Sequence, residues 1–310
     1  MNRGRTSAVL HDRTGGPDVL YVAPVPAPEP AAGEVLIAVR AVGVNPFDAK
    51  VRAGIIPNPA PFPRGLGCDV AGTVVAAAEG TTYFDDTPVL VGDEVLGFGT
   101  GTLAELVAVP AGQLVLKPLD LPWEVAGALA TPALAADASY AVLRPALGDT
   151  VFVSAAAGAV GFLYSQMALD RGARVIGSAS EVNHERLRAA GVEPVAYGPG
   201  LADRLRAMAP NGLTFVQDNA GGETLDVALE LGVAAERICE IVDHAAVERL
   251  GLAGPGRYER SPAVLDRLAR LAADGKLSLP VQQVFPLTEV AAAFRLLETR
   301  HLSGKVVVMP

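Results

Sequence analysis

Residues 150–180 read TVFVSAAAGAVGFLYSQMALDRGARVIGSAS, and this stretch decides the fold. Val151–Val153 is a short β-branched and aromatic run of the type buried in a parallel sheet. A small-residue turn follows, from Ala155 to Gly161, and then apolar positions at helical spacing (Val160, Leu163, Tyr164, Met167). Arg171 and Gly172 close that helix, and Arg174–Ser178 reads as a second strand. The whole is one βαβ unit whose turn has the spacing A-x-x-G-x-x-G, a relative of the dinucleotide fingerprint. A pyrophosphate at such a turn is held by free backbone N–H groups and the positive end of the helix dipole. A side chain at Gly158 would keep the phosphate away, and Gly161 lets the helix pack close to its strand. The same spacing also occurs in ordinary tight βα turns. The strand before, the helix after and the second strand on schedule favour the cofactor reading, which makes Ala157, Gly158, Ala159, Val160 and Gly161 cofactor-binding candidates.

Working outward, the chain has 310 residues, enough for two domains, and half of them are hydrophobic. Its formal net charge of −9 argues against nucleic acid or an anionic membrane as the main partner. Residues 150–169 carry no charge over a length that could span a membrane, but Ser154, Ser165 and the glycine turn fit a buried βα unit. The N-terminal MNRGRTSAVLHDRTGG lacks the apolar core of a signal peptide, so the expectation is a cytoplasmic protein. Cys68 and Cys239 are far apart and form no C-x-x-C, which fits reduced, packed thiols.

Before residue 121 the chain is strand-like and rich in Gly and Pro. It has a first hairpin over 7–25, a proline loop at Pro24, Pro26, Pro28 and Pro30, and strands at 34–42, 73–77, 89–98 and 104–110. Asn45-Pro46 starts a turn and 48–53 a short helix. From Trp123 the texture turns helical, with breaks expected at Pro132 and Pro145. After residue 150, strands at 214–217 and 237–242 alternate with helices at 183–190, 201–208 and 223–231, the pattern of a doubly wound parallel sheet. Helices over 262–275 and 287–299 and a strand at 305–309 complete the chain. That last strand is expected to return to the first domain, since its pattern matches nothing open in the parallel sheet. The fold class is therefore α/β.

Several segments taken together carry a resemblance: GVNPFDAKVRAG (43–54), GLGCDVAGTVV (65–75), VGDEVLGF (91–98), GTLAELVAVP (101–110), SAAAGAVG (154–161), DNAGGETL (218–225) and LSGKVVV (302–308). In this order over nearly the whole length, they resemble the medium-chain dehydrogenase/reductase superfamily, and within it the zinc-independent quinone oxidoreductase (zeta-crystallin-like) branch. The resemblance implies a β-rich GroES-like catalytic domain over 1–122, a Rossmann nucleotide-binding domain over 123–257, and a return to the catalytic domain over 258–310. Where zinc-dependent members carry their metal ligands, this chain has Asn45, Cys68-Asp69 and Ala133–Ala135, so no metal is expected.

An acidic residue about 20 positions past the glycine motif would mark NAD; here that position falls near Ala179. Ser178, Ser180, Asn183 and His184 are candidates for a ribose 2′-phosphate, with Arg186 or Arg188 as added positive charge, and NADPH is the expected cofactor. Asn183 and Ser180 read equally well as caps of the next helix. The resemblance further implies a nicotinamide pointing toward Asn45, Thr131 and the turn that holds Asn219 and Gly221. Asn45 is then the polar group nearest a substrate, with Asp48 and Lys50 on the same loop. Asn45 also reads as a plain turn starter, and Asp48 and Lys50, two apart, read as a solvated pair. Without a metal, the chemistry that remains is hydride delivery to a conjugated acceptor, a quinone or an α,β-unsaturated carbonyl. A biosynthetic enoyl reductase and a redox-inactive NADPH-binding protein are the competing readings. A homodimer through an edge strand at 249–258 is the expected assembly.

Overall fold

Strand propensity and glycine spacing carry the first third of the chain. The computed structural model describes residues 4–256, 260–299 and 301–310. β1 (Arg5–His11) pairs antiparallel with β2 (Tyr21–Pro26). Pro24 and Pro26, expected in a loop, lie in β2, an edge strand where a missing N–H costs no ladder bond. β3 (Glu34–Gly43) alternates so that Val35, Ile37 and Val39 enter the core, each worth about 1.5–3 kcal/mol of apolar burial. α1 (Pro46–Ala53) ends at Gly54, whose left-handed φ of 80° closes the helix. β4 (Arg64–Gly65), β5 (Asp69–Ala77), β6 (Glu94–Phe98), β7 (Leu106–Pro110) and β8 (Leu114–Leu116) follow. β5 starts four residues before the expected strand, and β6 starts at Glu94 rather than Val89, after the turn at Gly92.

α2 (Trp123–Leu143) continues past Pro132, which was expected to break it. A proline removes one donor of the ladder, and the Ala- and Leu-rich sequence on both sides keeps the helix going. The chain divides within this helix: Met1–Thr131 and Arg260–Pro310 form one unit, Pro132–Glu259 the second.

The second unit is a parallel sheet. β9 (Thr150–Val153), α3 (Ala159–Asp170), β10 (Arg174–Ser178), α4 (His184–Ala189), β11 (Glu193–Val195), α5 (Leu201–Met208), β12 (Phe215–Asp218), α6 (Glu223–Glu230), β13 (Ile238–Glu240) and α7 (His244–Leu250) alternate along the chain. The strand order is β11-β10-β9-β12-β13, so β10 and β12 flank β9 and the winding reverses there. In open α/β sheets ligands bind outside the carboxyl ends of the strands at such a switch point. The edge strand expected over 249–258 is not formed: Arg249 and Leu250 end α7, and Ala253 makes a single bridge to Cys239. Gly251, Gly254 and Pro255 interrupt the segment, and Arg257 and Tyr258 lie outside the described residues.

α8 (Pro262–Ala273), β14 (Val281–Pro286), α9 (Val290–Glu298) and β15 (Lys305–Met309) belong to the first unit. β15 pairs antiparallel with β3 and parallel with β14, giving the order β14-β15-β3-β5-β6-β8 with β7 also on β3. β14 was not expected as a strand; as an edge strand it leaves Gln282, Gln283 and Val284 exposed, so its sequence lacks a buried pattern.

Candidate active site

In the first unit, a buried polar cluster gathers at the start of α1, at β5 and at the beginning of β15. Asn45 precedes α1, and its backbone N–H donates to Asp48 Oδ2 at 2.9 Å, so Asp48 closes the first turn of the helix. The Asn45 Nδ2 group donates to Gly43 O (3.1 Å), Asp69 Oδ2 (3.0 Å) and Cys68 Sγ (3.4 Å). Its Oδ1 accepts from Lys305 Nζ at 2.6 Å. Lys305 also donates to Val44 O (3.1 Å) and Asp69 Oδ2 (3.4 Å), so its three hydrogens all have internal acceptors. The other oxygen of Asp69 accepts from Thr131 N (2.9 Å) and Thr131 Oγ1 (2.5 Å). Gly43 makes room for the lysine: a Cβ there would stand 2.8 Å from Lys305 Cε and 2.6 Å from Ala128 Cα.

This arrangement places the predicted residues differently from one another. Asn45, Asp48 and Thr131 come together. Lys50 is half-buried and makes no side-chain bond to the cluster. Asp48 is not part of a solvated pair: it is 2% exposed, because its carboxylate serves the Asn45 N–H. Burial and the Asp69 charge push its carboxyl up to about 6. Asn45 has both amide hydrogens on internal acceptors, so it organises the site and has none left for a ligand. Sequence reasoning missed Asp69 and Lys305. The available signal was a lysine opening the otherwise apolar KVVVM strand, since buried lysines need partners.

These residues do not fit a zinc ion. Burial and the nearby Asp48 and Asp69 push the pKa of the one thiol, Cys68, well up. It is the only sulfur or imidazole donor in the cluster, short of the three or four converging ligands that zinc takes. An ammonium already occupies the shared oxygen donors of Asn45 and Asp69. Among the described residues no group of three His, Cys, Asp or Glu converges. Arg260 lies with its guanidinium 5.4 Å from the Phe98 ring and close enough to act on Cys68. It has no carboxylate partner among the described residues.

In the second unit the turn between β9 and α3 carries the fingerprint. Gly161 is pressed onto the turn, since a Cβ there would stand 2.6 Å from Ala155 O, whereas at Gly158 the nearest atom would be 3.3 Å away. Gly158 caps α3 without a side chain, and the first-turn N–H groups of Ala159, Val160 and Gly161 have no helical acceptor. Arg186 reaches the same turn and donates to Ala157 O at 3.0 Å. A dinucleotide pyrophosphate fits this cradle: small residues, free N–H groups and a nearby cation.

Around the second strand, Asn183 Nδ2 donates to Ser180 Oγ at 3.0 Å, and His184 Nε2 lies 3.1 Å from Ala179 O. Neither Ser180 nor Asn183 caps a helix with its side chain. Ser178 is set apart from them. It is buried, and its Oγ accepts the Ala155 N–H at 3.3 Å, so it shapes the glycine turn from beneath. Asn219 and Gly221 sit on the turn after β12. Asn219 donates from N to Ser154 Oγ (2.8 Å) and from Nδ2 to Ser154 O (2.9 Å). Gly221 N donates to Asp218 Oδ1 at 3.0 Å, and Ser154 Oγ donates to the same oxygen at 2.6 Å. Ser154 and Asp218 were also missed; both are inward polar positions at strand ends, which sequence alone does not separate from solvent-facing ones.

Two family models match the chain. One is the alcohol dehydrogenase GroES-like domain over residues 31–119, the other the zinc-binding dehydrogenase domain over residues 192–308. A quinone oxidoreductase of Pseudomonas aeruginosa is 29% identical over 96% of this chain and 97% of its own length. A segment of the polyketide synthase GfsB of Streptomyces halstedii is 30% identical over 89% of this chain, which spans 5% of that much longer protein. Among solved structures, the quinone oxidoreductase of Coxiella burnetii matches with TM-score 0.88 at 28% identity, covering 99% of both chains. An NAD-dependent alcohol dehydrogenase matches with TM-score 0.87 at 30% identity over 98% of this chain and 99% of its own. A mycobacterial protein complexed with NADPH matches with TM-score 0.86 at 29% identity over 98% of this chain and all of its own (100%). Two units, a fingerprint turn and full-length matches to oxidoreductases thus agree, and the chain belongs to the medium-chain dehydrogenase/reductase superfamily, in its quinone oxidoreductase branch.

Proposed function

We propose that this protein is an NADPH-dependent reductase acting, without a metal, on a quinone or an α,β-unsaturated carbonyl. The observation that carries the reading is the A-x-x-G-x-x-G turn between β9 and α3, open at Gly158, tight at Gly161 and flanked by Arg186. When bound, the reduced nicotinamide supplies the hydride; the chain supplies position and electrostatics. Ala157–Gly161 hold the pyrophosphate by backbone N–H groups. Ser180, Asn183 and His184 are assigned to the 2′-phosphate, no acidic residue standing at Ala179. Asn219 and Gly221 are assigned to the nicotinamide end of the site.

In the first unit, Lys305, Asp69 and Asn45 form the rigid base of the acceptor site, and Thr131 is fixed above it by Asp69. Thr131 gives its hydroxyl hydrogen to Asp69, so toward any ligand it can only accept. The product anion therefore takes its stabilisation from the guanidinium of Arg260, which has no carboxylate partner among the described residues, and its proton from water. Metal-free turnover is supported by the donor set around Cys68, which suits an ammonium better than zinc. The matching polyketide synthase segment favours a second reading within the same chemistry, enoyl reduction of a biosynthetic intermediate.

The decisive experiment is titration of wild type and Gly158→Asp with NADPH and NADH, followed by turnover against quinones and enones with a chelator present. Wild type should bind NADPH more tightly than NADH and turn over unaffected by chelator. Gly158→Asp should lose on the order of 100-fold in NADPH affinity, because a carboxylate would crowd and repel the pyrophosphate. Unchanged affinity in this variant overturns the placement, and tight NADPH binding without turnover of any acceptor overturns the reductase reading.

A further inference from the structure

At the carboxyl end of the parallel sheet two acidic side chains face each other. Asp218 ends β12 and Glu240 ends β13, and the two are direct register partners on parallel strands, so their side chains project to one face. Both are buried, at 0% and 1% exposure. Each carboxyl group is divided in the same way. Asp218 Oδ1 accepts from Ser154 Oγ (2.6 Å), Ala220 N (2.9 Å) and Gly221 N (3.0 Å), which fixes the turn holding Asn219 and Gly221. Glu240 Oε1 accepts from Val242 N and from Asp243 N at 2.9 Å, which fixes the segment leading into α7. The remaining oxygens, Asp218 Oδ2 and Glu240 Oε2, are buried and receive no donor from elsewhere.

Two ionised carboxylates cannot share such a place without a cation or a proton. No lysine, arginine or histidine bonds either one among the described residues. The other titratable groups close by are the Cys239 thiol on β13 and the exposed Asp243 at the α7 cap, whose carboxylate is turned to Ala246 N. Neither brings positive charge. We propose that Asp218 and Glu240 hold one proton between their two free oxygens, and that this proton makes Glu240 a positioning residue for the Asn219–Gly221 turn. With the proton in place, the two strand ends are bonded to each other. Once it leaves, like charges are forced together and the turn and the segment leading into α7 are pushed apart. Burial, reinforced by the Asp218 side chain, drives Glu240 up to about 7, which sets the pH range of the effect. The link to dinucleotide binding rests on the reading of Asn219 and Gly221 given above.

The test compares wild type, Glu240→Gln and Asp218→Asn, since each amide supplies the bridging hydrogen without titrating. Infrared spectra of the unliganded proteins report the shared proton directly. Wild type should carry a protonated-carboxyl stretch that fades as pH rises through about 7 and that both amide variants lack, over and above the Asp48 stretch that all three share and lose near about 6. NADPH affinity should fall about tenfold more in wild type than in the variants over the same rise, one unit of displaced proton affinity being tenfold in binding. Comparing variants cancels the titration of the ligand's own phosphate. Identical spectra in wild type and both variants overturn the shared proton. A shared-proton band together with parallel NADPH profiles overturns the positioning role. Absence of NADPH binding at every pH, with the band intact, overturns the cofactor reading and leaves the proton pair standing.

Discussion

The two units each bury carboxylates, and they balance the charge by different means. In the first, Asp69 meets the ammonium of Lys305, and every oxygen of Asp69 and every hydrogen of Lys305 has a partner. In the second, Asp218 and Glu240 meet each other with no cation bonded to either among the described residues. Opposite charges close a complete set of hydrogen bonds around Lys305, so the first arrangement is a fixed frame. A shared proton comes and goes near neutrality, so the second is a frame that pH can loosen. On the function proposed above, a nucleotide's phosphates would bring negative charge to the second unit, whereas a neutral quinone or enone would bring none to the first.

The comparison breaks most sharply at Lys305. Lys305→Met should destabilise the protein by about 3–5 kcal/mol, because it leaves Asp69 buried without its counter-ion. Chemical denaturation at neutral pH reads the loss. Acidification should restore part of it by protonating the stranded carboxylate, and adding Asp69→Asn should restore part of it at neutral pH. A loss below about 1 kcal/mol, as for a surface ion pair, would show that the ammonium is not what balances the first cluster.

Asp48 sharpens the contrast, since burial and the Asp69 charge push this carboxyl of the first cluster up. Its folded-state value near 6 lies above the unfolded value of 3.8. The folded protein therefore binds the proton more tightly. The associated stability is fully present below 3.8, is lost as pH rises toward about 6, and is level above. Against Asp48→Asn, wild type should lose about 2–3 kcal/mol across that interval. Denaturation midpoints measured along the pH series test this, and parallel curves for the two proteins would remove the effect.

In the second unit, Ser154 links the β9 end to both Asp218 and Asn219 through one hydroxyl. Ser154→Ala orphans the Asn219 N–H and takes one donor from Asp218, a loss of about 1–2 kcal/mol. NADPH affinity should fall with it, whereas the comparable loss of a hydroxyl in Thr131→Val should leave NADPH affinity nearer wild type. Equal effects of the two substitutions on affinity would erase the division of labour between the units.

What the sequence made legible divides along the same line. Much of the second unit was readable because its strands are apolar runs, its first two helices are closed by Gly172 and Gly191, and the fingerprint lies in one local turn. α7, closed by Gly251, was not read, and its end was expected as a strand. The first unit's elements were readable in type but less so in extent, as β5 and β6 show. Its cluster was half visible: Asn45, Asp48 and Thr131 read as site candidates, while Asp69 and Lys305, though inside the segments that carry the resemblance, did not. Lys305 arrives from the last strand, 236 residues from Asp69. No local pattern couples positions so far apart; only the sheet order, which sets β15 beside β3, brings them together. Glu240 was hidden for a related reason. A glutamate in the run RICEIV reads as one polar interruption, and its meaning depends on the register that places it opposite Asp218. Pro132 misled because a local rule about proline outweighed the surrounding helix propensity.

The smallest effect concerns the backbone beneath the fingerprint. Where α1 of the first unit closes, Gly54 takes the left-handed conformation at φ 80°, a place that suits glycine. The turn after β9 has no such relief at its first position: Ala155 is held at φ 46°. It stays there because its own N–H donates to Ser178 Oγ, its carbonyl accepts the Gly158 N–H at 2.9 Å, and Ala156 N is tied to Ser178 O at 2.9 Å. An alanine in this region costs about 1 kcal/mol or more relative to glycine, partly offset by the greater freedom of glycine in the unfolded chain. Ala155→Gly should therefore stabilise the protein by about 0.5 kcal/mol, raising the thermal midpoint by a degree or so, and leave NADPH affinity unchanged because the N–H groups of the turn keep their places. A stabilised variant that binds NADPH less tightly would show that the strain at Ala155 serves to aim those N–H groups, and would make the turn a functional constraint rather than a tolerated one.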